Sequence, residues 1–383
     1  MLPSHKVFES SKYVERESEK KLILDAITTR PHGVFIFEGD RGVGKTSLLF
    51  SLFLLLDSMP GVKPFVLSLF PFDAPELRGK ENACLGQTVF GEDDLNCLLE
   101  MVTSYWGITD IPNVSDDVRR EYFARGLAGL DGGTIPVLMI DSIYECDDNV
   151  RQALEEYLIS PLVSSNKGFT ILTGRGRSPI WSRPELRHEP IQLNNFEQQQ
   201  TEELLRRIGS NHLDKLALIY KLSDGYPLMA RLLGAADMEP EDYLSTAIDI
   251  LLEETLPIGI PQAVYAEIRI HLEKLSVIRS VFRNMEVENY LFNHLPVISE
   301  RRSQTSVLVN TLLGSHIMKY KGGGFVINNS ISVPLREFLN LPRNTVKYQS
   351  YRTLLAINYD ELAGKYPDAA KYYQQLKTDL LNP

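Results

Sequence analysis

Residues 34–50 read VFIFEGDRGVGKTSLLF: an apolar run, a glycine-rich turn and the apolar start of a helix. The turn, Gly39-Asp40-Arg41-Gly42-Val43-Gly44-Lys45-Thr46, fits the pattern G-x-x-x-x-G-K-[ST]. Glycines at these places let backbone N–H groups turn inward around phosphate oxygens. Lys45 would carry its charge to the β- and γ-phosphates, and the Thr46 hydroxyl would ligate Mg²⁺. The helix N-terminus, with Ser47 in its first turn, adds partial positive charge. The expected phosphate-binding set is therefore Gly39, Arg41, Gly42, Val43, Gly44, Lys45, Thr46 and Ser47. A chance glycine-rich turn would have no reason to sit between an apolar strand and an apolar helix.

Working outward, short apolar runs alternate with helical stretches. Val34–Phe37, Pro64–Leu69, Pro136–Ile140, Phe169–Leu172 and Pro190–Leu193 read as strands. Lys45–Leu56, Asp93–Trp106, Asp116–Leu127 and Val150–Leu158 read as helices between them. Continuous apolar strands separated by helices predict an α/β fold whose parallel sheet is covered on both faces. After about residue 195 the strand signals stop, and Phe196–Ile208, Asn211–Leu222 and Leu228–Ala235 read as helices. More helices follow, then two short strands, His316–Tyr320 and Phe325–Asn328, around a Lys-Gly-Gly-Gly tip. The expected organisation is a P-loop domain over 1–193, a helical subdomain over 194–256, a winged-helix-like domain over 257–345 and a helical tail over 346–383.

A phosphate loop needs an acidic partner for the metal at the end of a neighbouring strand. Asp141, closing Val137-Leu138-Met139-Ile140, is placed to hold Mg²⁺ through water, with helix capping as its plainer role. The position after it is Ser142, so the water-activating acid falls to Glu145, with Asp147 and Asp148 behind it. Thr173 and Arg175, the polar residue and the arginine of Thr173-Gly174-Arg175 after the fourth strand, suit sensors of the γ-phosphate, because a guanidinium favours the extra charge of a triphosphate. Arg177 could serve the same end, and either could be a solvated surface arginine.

Bulk properties restrict the rest. Of 383 residues, 43% are hydrophobic, enough for a real core, and the formal net charge is −10. That balance disfavours a protein held to nucleic acid by charge alone, though it leaves room for a local basic patch. Cys84, Cys97 and Cys146 fit neither a disulfide framework nor a zinc site, which points to a reduced cytoplasmic setting. The N-terminus lacks a signal-peptide apolar stretch, and the longest apolar run, Leu48–Leu56, falls far short of the ~20 residues needed to span a bilayer.

In order, these segments resemble the STAND signalling ATPases, the class of NACHT and NB-ARC proteins related to the AAA+ ATPases. Tyr13-Val14-Glu15-Arg16-Glu17-Ser18-Glu19 is similar to the family's opening hhGRExE, with Glu15 where glycine is usual. The resemblance places Val14 near the adenine and Arg16 near the nucleotide. Asp141-Ser142-Ile143-Tyr144-Glu145 resembles the NACHT form of Walker B, with Tyr144 replacing the first of two acids, which puts rapid hydrolysis in doubt. Gly225-Tyr226-Pro227-Leu228 looks like the GxP motif, whose proline packs on the adenine. The wing-side histidine of the family has Asn328 near its place, so no role is assigned there. The resemblance spans about residues 8–340 without an effector domain or sensor repeats, which suggests a truncated chain or a small ATPase with separate sensor and effector partners.

It implies a conformational switch run by ATP, ADP and Mg²⁺, with slow ATP hydrolysis as reset and self-association or partner engagement as output. Two other readings stand beside it. One is an AAA+ initiator-like ATPase with a DNA-binding winged helix, which the net charge of −10 argues against. The other is a pseudo-ATPase scaffold that holds nucleotide permanently. The aromatic tail residues Tyr348, Tyr351, Tyr359, Tyr366, Tyr372 and Tyr373 are expected to pack back on the winged helix or to bind a partner.

Overall fold

The computed structural model describes residues 7–14, 16–70, 74–86, 92–108, 116–175, 179–256 and 260–382. Glu15 and Arg177 lie outside the described residues. Contacts divide the chain into two compact units, residues 1–195 with 206–208, and residues 196–205 with 209–383.

The first unit runs α1 (Glu17–Thr29), β1 (His32–Glu38), α2 (Lys45–Asp57), β2 (Val62–Ser68), β3 (Ala83–Leu85), α3 (Glu92–Trp106), α4 (Asp116–Gly129) and β4 (Ile135–Asp141). It continues with α5 (Asp148–Leu154), a π-helical turn (Glu155–Ile159), α6 (Ser160–Ser164), β5 (Gly168–Gly174) and β6 (Ile191–Gln192). Among the described residues the strands form one six-stranded sheet ordered β3-β2-β4-β5-β1-β6, parallel at every pairing.

The period-two alternation of strand side chains explains the continuous apolar runs. Phe35 and Phe37 of β1, Met139 of β4 and Ile171 of β5 face a core built on α1 and α2. Ile36, Ile140 and Leu172 face the opposite core, which holds side chains of α3, α4 and α5. Both sheet faces are thus covered, as the sequence predicts for parallel strands. The register aligns the strand ends: Glu38 sits opposite Gly174, Ile140 opposite Leu172, and Asp141 opposite Ser68. Because β5 lies between β1 and β4, the loops after these three strands leave the same edge of the sheet side by side.

Two elements of this unit escape the sequence reading, as does the helix Pro240–Thr255 of the second unit. Strand β3 has only three residues at the sheet edge. Helix α1 begins inside the opening motif and buries Ile23, Ala26 and Ile27 at helical spacing. The helix expected over 150–158 extends further, passing through the π turn into α6.

The second unit comprises α7 (Gln198–Arg207), α8 (Leu216–Ser223), α9 (Pro227–Gly234), α10 (Pro240–Thr255), α11 (Gln262–Ser276), α12 (Asn284–Phe292), α13 (Ile298–Gly314), β7 (Met318–Lys321), β8 (Gly324–Ile327), α14 (Asn329–Asn340), α15 (Thr345–Lys365) and α16 (Ala370–Leu381). Helices α8, α10, α11 and α15 all pack against α14. The β7–β8 hairpin turns at Gly322 and Gly323, with φ of 56° and 82°, values that glycine adopts without strain. Phe282 bridges to Phe325 and adds one residue of a third strand. In the tail, Tyr351 and Tyr359 are buried as α15 packs on α12 and α14, Tyr373 of α16 is buried beside Tyr359, and the Tyr290 hydroxyl donates to the Tyr351 carbonyl at 3.0 Å.

Candidate functional site

The loop after β1 is shaped by its glycines. Gly42 and Gly44 have φ of 78° and 101°, and a Cβ on Gly39 would lie 2.8 Å from Val43 Cγ1. Lys45 begins α2, is buried, and folds its ammonium back on the loop, donating to the carbonyls of Gly39 at 2.8 Å and Asp40 at 3.0 Å. An ammonium with three N–H donors held at the loop in this way has donor capacity left for a phosphate oxygen. Burial pushes the Lys45 pKa down, while Glu145 and Asp141 pull it up and Arg175 lowers it further. Four charges carried by three different loops therefore act on one another at this edge.

Asp141 is buried at the end of β4 and accepts from the Thr46 hydroxyl at 3.0 Å to each carboxylate oxygen. The Thr173 hydroxyl donates to Asp141 Oδ1 at 2.7 Å and itself accepts from the Ser142 backbone N–H at 2.9 Å. Burial raises the Asp141 pKa, and the hydrogen bonds from Thr173 and Thr46 oppose the rise. A hydroxyl and a carboxylate in direct contact form an all-oxygen donor set, which suits a hard cation such as Mg²⁺. Among the described residues no group of three or more His, Cys, Asp or Glu could hold a metal by itself.

Beyond Asp141 the loop stays fastened to β5. Ser142 takes φ of 63°, and the Ile143 N–H donates to the Thr173 carbonyl at 2.9 Å. The Tyr144 ring then lies directly on Gly174, where a Cβ would come within 2.2 Å of the ring. Glu145 follows, 3.8 Å from Arg175 Nε. Residues 141, 142 and 143 thus meet Thr173, residue 144 meets Gly174 and residue 145 meets Arg175. Burial raises the Glu145 pKa against the opposing pull of Lys45 and Arg175. Asp147 instead caps α5 by accepting from the Asn149 N–H at 2.8 Å, and Asp148 pairs with Arg151. Neither reaches the group around Lys45.

Arg16 is buried and donates to the carbonyls of Val43 at 2.7 Å and Asn194 at 2.9 Å, fixing the phosphate loop to the segment after β6. Val14 is buried beside it in sequence. In the second unit, Pro227 opens α9 and is buried. Gly225 before it has φ of 67°, and a Cβ there would strike the Phe196 carbonyl at 2.0 Å. Asn328 donates its side-chain N–H to the His316 carbonyl and stands at the N-cap position of α14, where its side chain makes no capping hydrogen bond.

Among solved structures, a Walker-type ATPase of Pyrococcus abyssi superposes at a TM-score of 0.50, covering 85% of this chain and 96% of that one at 16% identity. The chain has the P-loop NTPase fold. At that identity the likeness is one of fold. A Signal Transduction ATPase with Numerous Domains with a tetratricopeptide repeat sensor, from Pyrococcus horikoshii, matches at a TM-score of 0.37 and 17% identity over 96% of this chain, which spans 48% of that protein. Cdc6p of Pyrobaculum aerophilum matches at 0.39 and 13% identity, covering 90% of this chain and 96% of that one. No known family profile and no curated protein matches the sequence. No helix among the described residues is long and apolar enough to cross a membrane.

Three contributions are not visible in the sequence. Thr173 reads as a polar residue facing the γ-phosphate, whereas its hydroxyl joins Asp141 to Ser142. Tyr144 read as a missing acid, whereas its ring packs on Gly174 and tilts against Trp181 at 6.3 Å. Glu155, in the π turn, accepts from the Arg183 N–H at 2.9 Å and so anchors the segment that follows Arg175. A polar residue ending an apolar strand was the available signal for Thr173; the other two depend on which strands adjoin.

Proposed function

We propose that this chain is a nucleotide-controlled switch that binds ATP or ADP with Mg²⁺ and hydrolyses ATP slowly. The observation that carries the reading is the Glu145–Arg175 pair, fastened beside Lys45 and the Thr46–Asp141 couple. Without a γ-phosphate, Glu145 meets the charge of Arg175. A γ-phosphate brings further negative charge that competes with Glu145 for Arg175 and Lys45. ATP and ADP then differ in the arrangement they favour, and that differential affinity is the physical requirement of a switch.

Gly39, Arg41, Gly42, Val43, Gly44, Lys45, Thr46 and Ser47 bind the phosphates in this reading, and Val14, Arg16 and Pro227 serve the nucleoside side. Thr46 and Asp141 hold the metal ion, which draws charge off the β- and γ-phosphates when bound. Glu145 orients and deprotonates the attacking water once Arg175 has released it. Its engagement with Arg175 and the absence of a second acid at Tyr144 favour slow turnover. We read α11, Phe282, α12, α13 and the β7–β8 hairpin as a winged helix, α7–α10 as a helical subdomain and α15–α16 as the tail. The switch acts in a reduced cytoplasmic setting, through self-association or a separate sensor or effector protein.

Titration calorimetry with Mg-ADP and Mg-ATP tests this. Both should bind, Lys45→Ala should abolish binding, and Arg175→Ala should weaken ATP at least about tenfold more than ADP. Equal loss for the two nucleotides would remove Arg175 as the sensor and the switch with it.

A further inference from the structure

The chain segments that follow β4 and β5 leave neighbouring strands and are joined twice. The first junction binds residues 141–145 to Thr173, Gly174 and Arg175. The second lies further along both segments and is made by a buried acid remote in sequence from the phosphate loop, Glu155.

On the β5 side, residues 181–187 close on themselves. The Leu186 N–H donates to the Arg183 carbonyl at 3.1 Å, and the Arg187 Nε–H donates to the Trp181 carbonyl at 3.1 Å. Trp181 and Leu186 are both buried, so this turn is a small closed piece anchored at two side chains. On the β4 side, the helix begun by α5 widens into the π turn, where the Ser160 N–H reaches back five residues to the Glu155 carbonyl. Pro161 follows directly and has no N–H to give the Tyr157 carbonyl, which supplies a local reason for the wider turn. Glu155 is 3% exposed and accepts from the Arg183 N–H at 2.9 Å.

Burying a carboxyl costs free energy, and an apolar side chain would fill the same space without that cost. What only an acceptor can do there is hold the Arg183 N–H. That bond fixes the turn two residues from Trp181, whose ring lies 6.3 Å from that of Tyr144. The Trp181 indole N–H is buried with no acceptor among the described residues, so the ring is kept in place by packing and by its own turn. Tyr144 in turn lies on Gly174 and directly precedes Glu145, which stands 3.8 Å from Arg175. Contact therefore runs from Glu155 through Arg183, Trp181 and Tyr144 to the Glu145–Arg175 pair. At 3.8 Å that pair is too long for a hydrogen bond.

We infer that Glu155 is a positioning residue for γ-phosphate recognition, holding the 181–187 turn against Tyr144 and so keeping Glu145 and Arg175 apart. This rests on the reading of Arg175 as the γ-phosphate sensor. With the clamp in place, Arg175 stays available to a γ-phosphate. Without it, Tyr144 relaxes, Glu145 closes on Arg175, and ATP loses the advantage that ADP never had.

Calorimetry with Mg-ATP and Mg-ADP on the full chain tests this. Glu155→Ala should weaken ATP at least about fivefold while ADP changes by less than about twofold. Glu155→Gln keeps a carbonyl oxygen in place and should restore the wild-type ratio of the two affinities. In an Arg175→Ala background, Glu155→Ala should cause no further selective loss, because its effect passes through that arginine. If Glu155→Ala does not fold, Arg183→Pro removes the donor instead, at a φ of −88° close to proline's range, and should give the same selective loss. Equal loss of both nucleotides in these variants would overturn the proposal and leave Glu155 a purely structural residue. So would a selective loss that adds fully to that of Arg175→Ala. A selective Arg175→Ala beside an unselective Glu155→Ala would sink this proposal alone, whereas an unselective Arg175→Ala would sink the switch reading with it.

Discussion

The molecule uses cations in two opposite ways. At the C-terminal edge of the sheet, Lys45 and Arg16 are buried and held by carbonyls, and Arg175 faces Glu145. On α13 and the hairpin, Arg302, Lys319 and Lys321 stand in solvent. The first arrangement bears the desolvation cost of charge in advance and is suited to a compact, highly charged ligand. The second bears none and leaves its cations hydrated. Burial, more than residue type, therefore separates a built site from a charged face.

Substitutions can break this contrast, beginning with the largest expected effect. Lys45→Ala should lower nucleotide affinity at least about 100-fold in calorimetry, whereas Lys319→Ala, on the solvent-exposed hairpin, should leave it unchanged. Equal loss in both variants would remove the contrast between the two regions. Gly174→Ala forces a Cβ into the Tyr144 ring and should cost about 1–3 kcal/mol by chemical denaturation. Tyr144→Ala in the same chain should return part of that loss, and a purely additive double-mutant cycle would contradict the contact.

Thr173→Val leaves Asp141 Oδ1 and the Ser142 N–H each without the hydroxyl that now serves both. It should cost about 1–3 kcal/mol, and Mg-nucleotide affinity should fall with stability. Glu145→Gln is expected to act in the opposite sense on stability. Burial raises the Glu145 pKa, with Lys45 and Arg175 opposing. Its contribution is therefore full below the ordinary carboxylate pKa and lost as pH rises through the folded-state value. The nucleotide-free variant should melt above wild type at neutral pH, converge with it in acid, and lose ATP turnover. A variant that melts lower at neutral pH would show the acid to be stabilising instead. The smallest effect belongs to the solvent face: Arg302→Ala should alter stability by no more than about 0.5 kcal/mol in the same denaturation assay.

How much of this was legible in the sequence follows from the range of each interaction. Gly39–Thr46 could be read because the loop, its lysine and its helix are contiguous. Asp141 could be read because an acid ending an apolar strand has few other reasons to be there. The Tyr144–Gly174 contact could not, since it joins residues thirty apart and exists only because β4 and β5 are neighbours. Thr173 is legible as the polar residue ending its strand, but its bond to Asp141 is hidden for the same reason. Strand β3 is too short to carry a pattern, and α1 is hidden because its start overlaps the motif. On α13 the sequence alone does not show which residues face outward. Only the packing of Thr305, Leu308 and Leu312 decides which residues of α13 meet solvent.

The central claim is that nucleotide holds this chain in one of two states. The most direct test is to denature the purified protein and identify any released nucleotide by chromatography, comparing wild type with Lys45→Ala. Co-purified ADP, lost in the variant, is the predicted result. A wild-type protein that releases none, yet then binds and turns over ATP freely, would contradict the switch and describe a motor-like ATPase.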